Sequence, residues 1–529
     1  MQQEVQEVPL KLVGGNKFGR YVKISIEETF NMIISDDALV DYAGYANVLT
    51  QSPTSPGRGI YSSGPGSLIL AVWGANVYTI QASGSILSAN FRGSLLTSSG
   101  DVFIAENNNK QIGITDGVNL YVYNWGDHSF TLLSYDVDPS IFPIPTPGYI
   151  SFQNGRFIIV NLGTTNWYLS EENDALTWLN TAQRVGSLQT KPDTVQAAVP
   201  VPGAGNNLVV FGHNVMELWQ DVGAALFPYQ RTSTFNVDYG CLNASSVASL
   251  DNYIVWLGAN EQSGATVMMY SGNQATSIST DGIDFKLNNL TNPNNCTGFL
   301  FRQDGHVIYQ FTFPDDNLSY IYDLETKTFF TVTDENFDYH IARNVVFFEN
   351  NYYFVSLKGG DLYRFGTQYT NFQYDFDNIR EIPRARVCPP IRLPSQRMSI
   401  IKSVGFTIEN GQPNDIKTFN TVIKGIGDII CTESSIEIAT EGGTLLSTEG
   451  SSSNQNTYTV TSEAVDLSIS RDGGETFGSS WRLPMNPVGK RKSRLIWQRC
   501  GQANDATIMF RMIGFGRFIC FDGVAEVYQ

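Results

Sequence analysis

Residues 468–477 of the 529-residue chain read SISRDGGETF, and within them Ser470, Asp472, Gly474, Thr476 and Phe477 spell S-x-D-x-G-x-T-F. The spacing offers two kinds of chemistry. A carboxylate held near others can act as acid, base or nucleophile at a glycosidic bond, which needs a second carboxyl group roughly 5–9 Å away. A carboxylate inside a tight turn can instead accept the turn's own amides, with glycine supplying backbone freedom and the aromatic ring packing beneath.

The pattern resembles the Asp box of sialidases and related glycosidase propellers. A sialidase also needs an arginine triad for the substrate carboxylate, an acid/base Asp and a Tyr/Glu nucleophile. This chain has a single box and no F-R-I-P-type arginine signature near its N-terminus. The structural role is therefore the expected one, and Asp472 is expected to serve its turn. Other chemistry has less support. The histidines His128, His213, His306 and His340 are widely separated. G-x-S-x-G, H-E-x-x-H and G-x-x-x-x-G-K-S/T are all missing. The six cysteines (Cys241, Cys296, Cys388, Cys431, Cys500, Cys520) form no C-x-x-C pair, so they read as reduced structural thiols. The acidic runs at 170–175 and 313–317 could offer oxygens to Ca²⁺ but read more simply as solvated turns. No catalytic residue, metal or cofactor is expected. The most basic stretch, 481–499, carries Lys490, Arg491, Lys492 and Arg494. It reads as a hairpin exposed to solvent or as an electrostatic contact with a partner.

Composition limits which elements can position these residues. Charged residues make up 16% of the chain, against about 25% in ordinary soluble proteins, and 12% are aromatic. Glycine is abundant as well, so the balance suits short strands and turns, and a surface to be covered by neighbouring subunits. The net charge of −17 argues against a general grip on nucleic acid. The N-terminus lacks a basic segment followed by an apolar one, and no run approaches a membrane span, so a soluble protein made in a cytoplasm is expected.

Seven β-branched and aromatic runs, among them SLILAVWG, GRFIIVNLG and NYIVWLG, are each followed by a turn and a second strand bearing an aromatic residue. The repeat centres near the roughly 40–50 residues of a propeller blade. This predicts an all-β chain: an N-terminal arm and first strands over 1–59, a β-propeller-like domain of about seven blades over 60–375, a Pro- and Arg-rich extended connector over 376–398, and a C-terminal β-sandwich over 399–529 carrying the Asp-box hairpin. The GGNKFGR run at 14–20 reads as a flexible arm, and 172–186 as the best helix candidate.

ETFNMIISDDALVDYAGYANV with PGRGIY, LVVFGHNVMELWQDVG, YGCLNASSVASLDNYIVWLG and the terminal SISRDGGETFGSSWRL to RLIWQRCG together resemble the tail accessory proteins of short-tailed (podovirus) bacteriophages, also called packaged-DNA stabilisation, tail hub or nozzle proteins. The resemblance implies a non-enzymatic virion protein assembled in the host cytoplasm. It would form a ring, commonly a hexamer, in the tail beneath the portal and its adaptor and meet a plug, needle or fibre. DNA would pass through it without specific binding. Two other classes stay open: a carbohydrate-binding or glycosidase-like propeller, and a monomeric propeller that binds peptides.

Overall fold

The computed structural model describes residues 5–19, 26–51, 55–84, 86–224, 227–375, 378–392, 399–410, 464–474, 476–485, 492–503, 507–515 and 518–528. The fold is all-β, a propeller followed by a sandwich. Each blade grows from a strand that is apolar on both faces. In Leu68–Trp73 all six residues are buried, because this second strand of its sheet is flanked by blades on either side. The connecting turns are written into the sequence. Asn154–Gly155 and Asp304–Gly305 hold φ of 49° and 83°, and 48° and 93°. These are the consecutive positive values that a two-residue hairpin needs to match the twist of its strands.

Six four-stranded blades follow one another at 57–94, 103–133, 147–187, 195–237, 248–277 and 297–331, the third with an additional short strand. The seventh is composite. Strands from 342–366 provide three of its members, and Gly44–Thr50 comes from the other end of the propeller to pair antiparallel with Asp361–Gly366. The N-terminal strand therefore locks the circle shut.

The sandwich is also built from both ends of the chain. One sheet orders Met32–Ser35, Ala38–Asp41, Phe518–Tyr528, Ser399–Asn410 and Lys492–Ala503, with Val5–Leu10 added on Phe518–Tyr528. The other orders Glu28–Phe30, Pro383–Val387, Thr507–Phe515, Ala464–Ser470 and Trp481–Pro484. Phe406, Leu467, Trp497, Phe510 and Met512 meet in the core between them. Glu28–Phe30 also bridges to Thr328–Thr331, so the second sheet is continuous with the sixth blade.

Three local expectations are corrected. Residues 14–17 are not a flexible arm. A Cβ on Gly15 would lie 1.9 Å from Thr328 Cγ2, and the Asn16 amide donates to the Phe329 carbonyl at 2.7 Å. The Pro/Arg-rich segment does not run outside the sheets as a connector, since Pro383–Val387 is a wholly buried strand. Pro383 occupies its first position, where proline is tolerated, and the guanidinium groups of Arg384 and Arg386 are paired with Asp41 and Glu27 at 2.5 and 2.9 Å. The helix expected at 172–186 is a hairpin strand, Asp174–Trp178, entered through Asn173 at φ 52°. The α-helix among the described residues is Asp281–Asn288, capped by Thr280. No helix among them is long and apolar enough to cross a membrane.

Candidate functional site

The Asp-box residues come together at the end of strand Ala464–Ser470. The buried Ser470 hydroxyl donates to Asp472 Oδ1 at 2.6 Å and accepts from the Gly474 amide at 2.8 Å. The Thr476 amide donates to Asp472 Oδ1 at 3.0 Å and its hydroxyl to Oδ2 at 2.5 Å. Together the Ser470 and Thr476 donors hold the Asp472 carboxyl far below the usual carboxylate range. Gly473 and Gly474 take φ of 80° and 98°. Phe477 lies under the Arg511 guanidinium, 4.6 Å from ring centre to carbon. Both oxygens of Asp472 are occupied within the turn, which explains the motif without a substrate.

The remaining titratable groups are distributed through the framework. His306 bonds Asp323 at 2.9 Å in a buried pair. His340 is enclosed by Tyr45, Phe354, Phe365 and Phe372, and burial pulls its pKa down to about 3. Burial pushes the thiols of Cys241 and Cys388 up to about 12 and 11; all five described cysteines are buried and free, and Cys431 lies outside the described residues. The two acidic runs are used in loop architecture: Glu171 holds Arg184 at 2.9 Å, and Asp316 accepts the Thr291 amide at 2.7 Å. Among the described residues no group of three or more His, Cys, Asp or Glu is placed to hold a metal ion.

Three concavities formed by described residues stand out. The propeller axis holds about 300 Å³ among Ile60, Val102, Tyr149, Ser249, Leu300 and Asn344, a wall of mixed polarity built from the inner edges of blades. That is the low end of a small-ligand pocket and far too little for a duplex. The second, about 420 Å³, lies on the outer face of the first sandwich sheet. Here Lys492 and Arg494 are exposed, Arg494 crosses Gly405, and Lys402 pairs with Glu526 at 3.0 Å. Lys490 and Arg491 lie outside the described residues.

The third is an apolar groove of about 460 Å³ on the outer face of the second sandwich sheet, floored by Ala385, Val387, Met509 and Ile513. Phe477 of the Asp-box turn stands on one side, and Phe337, from the link between blades six and seven, on the other. Sequence reasoning missed this groove. Its walls come from segments 140 residues apart, and the one local signal, a bulky residue at Phe337 with φ 65°, is a backbone property.

The family model described as "Bacteriophage P22 Gp10, beta-propeller" matches residues 31–370, more than half of the chain. The chain belongs to this family. It is a bacteriophage tail accessory protein, a structural component of the virion. The matched range takes in the closing strand Gly44–Thr50 and all seven blades. No curated protein matches the chain significantly. Among solved structures it is similar to the N-terminal domain of Nup159 (11% identity over 67% of this chain and 99% of that one, TM-score 0.40). It is similar also to U3-55K (7%, 61% and 98%, 0.38) and to the computationally designed Ika8 protein (12%, 67% and 99%, 0.34).

Proposed function

We propose that this tail protein assembles into a closed ring, a hexamer, that continues the channel of the portal and its adaptor, retains packaged DNA and conducts it during ejection. The observation that carries this reading is the axial cavity: family membership puts the chain in a virion tail, and about 300 Å³ along the propeller axis leaves no passage for DNA within one copy. A channel must then lie between copies, and rotational closure of one repeated interface gives a ring. The low charge content supports extensive subunit contact. Its neighbours would be the portal adaptor above and a plug, needle or fibre protein below, with Lys490, Arg491, Lys492 and Arg494 available to an acidic partner. The role is non-enzymatic, in keeping with an Asp472 whose oxygens are both engaged by its own turn. Mass photometry of tails isolated from virions tests the reading: six copies per tail are expected, and a single copy in the intact particle refutes it.

A further inference from the structure

The groove on the second sandwich sheet holds an unmatched charge. Glu28, Val387 and Arg511 occupy one cross-strand row of its floor, with Phe30, Ala385 and Ile513 in the next. Among the described residues the Arg511 side chain has no hydrogen-bond or ion-pair partner, its Nε is buried without an acceptor, and its guanidinium lies over the face of Phe477. An unpaired buried donor beside apolar surface is costly unless something supplies an acceptor. The chain has 51 acidic side chains against 34 basic, yet among the described residues none is paired with this one. Phe337 overhangs the groove edge-on to Phe30 at 5.7 Å, remains 42% exposed, and sits in a backbone region that disfavours bulky residues.

A complementary element exists elsewhere on the same molecule. The outer strand of the second blade and the loop leaving it expose Leu132, Tyr135, Val137 and Ile141, and Val137 at 76% is the most exposed large apolar residue among those described. Between Tyr135 and Val137 stands Asp136, exposed and without a hydrogen bond among the described residues, whereas Asp138 is taken up by Ser140 at 2.6 Å. The loop joins blades two and three, and the groove adjoins blade six. The two patches therefore lie on different parts of the molecule, one beside the second blade and one on the sandwich sheet that is continuous with the sixth. Complementary patches separated in this way suit a head-to-tail contact between copies, which closes into a ring when its rotation divides the circle.

We infer that the Asp136–Val137 loop of one copy docks in this groove on the next copy, Val137 entering the apolar floor and the Asp136 carboxylate accepting from Arg511. Glu28 at the opposite edge of the row fixes the direction, since an acid is repelled there and attracted at Arg511. This contact rests on the ring proposed above and identifies its subunit interface.

The test is charge exchange in tails assembled from full-length chains, with the closed-ring fraction read by mass photometry. Asp136→Arg and Arg511→Asp should each reduce that fraction by about tenfold or more, and the double exchange should restore it. Val137→Ser, at an exposed position where folding is not in question, should also weaken assembly. Phe337→Cys with Val137→Cys should give bismaleimide cross-links between copies. Asp136→Arg and Val137→Ser tails that assemble like the wild type would overturn the contact and leave the ring standing. Wild-type tails holding a single copy would refute the ring and this contact with it.

Discussion

Arg386 shows what a wholly buried charge requires. Its guanidinium meets Glu27 at 2.9 Å, the Leu12 carbonyl at 2.8 Å and the Gly15 carbonyl and Thr29 hydroxyl at 3.2 and 3.1 Å, so one side chain ties the N-terminal segment to a strand 370 residues away. Removing it would leave a buried carboxylate and several acceptors unpaired. Arg386→Met is therefore expected to cost about 3–5 kcal/mol in urea denaturation, and Arg386→Lys to recover little because one ammonium cannot reach the same set of acceptors. His340 has a different signature. With its pKa drawn down to about 3 by burial, it is neutral when folded, whereas the unfolded chain takes up a proton near the ordinary value of 6.5. Its influence is negligible above that value. Below it, stability falls by up to about 1.4 kcal/mol per pH unit as pH drops toward 3. His340→Phe should flatten that part of the stability profile measured by thermal melts between pH 6 and pH 4. Neither role was legible in the sequence. The four histidines and the arginines of 380–397 have the same local appearance whether exposed or buried, and only the tertiary partner decides.

At the level of elements, the sequence showed what is local and hid what is not. The buried second strands and the Asn-Gly and Asp-Gly turns announce themselves within ten residues, which is why the propeller and its seven sheets could be expected. The Asp-box turn was legible for the same reason, since five residues within eight positions contain the whole hydrogen-bond set. The closing strand carries no such signal. Gly44–Thr50 pairs with Asp361–Gly366, and nothing near residue 44 indicates a partner more than 300 residues on. Pro383–Val387 defeated the reading in the opposite way: a local rule about proline was overridden by pairing on both sides with Glu28–Phe30 and Thr507–Phe515. The closing strand also makes a sharp prediction. Tyr45 is fully buried, stacks on Phe372 at 4.5 Å and donates to the Tyr374 hydroxyl at 2.8 Å. Tyr45→Ala should cost about 3–5 kcal/mol, as removal of a large buried aromatic does. Because the strand is paired on both edges, with Asp361–Gly366 and Asn371–Gln373, limited proteolysis should spare 44–50 in the wild type and cut there in the Tyr45→Ala variant.

For the whole molecule the deciding quantity is charge. In the proposed ring, six copies at −17 each would together carry 6 × −17 = −102, and the wall would repel phosphates moving through it. DNA presents one charge per roughly 1.7 Å of axis, and each Lys or Arg that contacts a phosphate must exchange counterions as the duplex advances, which acts as friction. A channel that conducts should therefore avoid such contacts, and screening over about 8 Å at physiological salt makes the repulsion from a wide wall weak at its centre. The exposed cations Lys492 and Arg494 sit on the sandwich sheet, where Lys402 already pairs with Glu526, a setting suited to a protein neighbour of mixed charge. Gel-shift titration of linear duplex against assembled tails at about 0.15 M salt should accordingly show only weak binding, and neutralising Lys490, Arg491, Lys492 and Arg494 together should leave it unchanged. Tight binding that weakens steeply with salt and disappears in the quadruple variant would make this strand a DNA clamp, because only displaced counterions give that salt dependence.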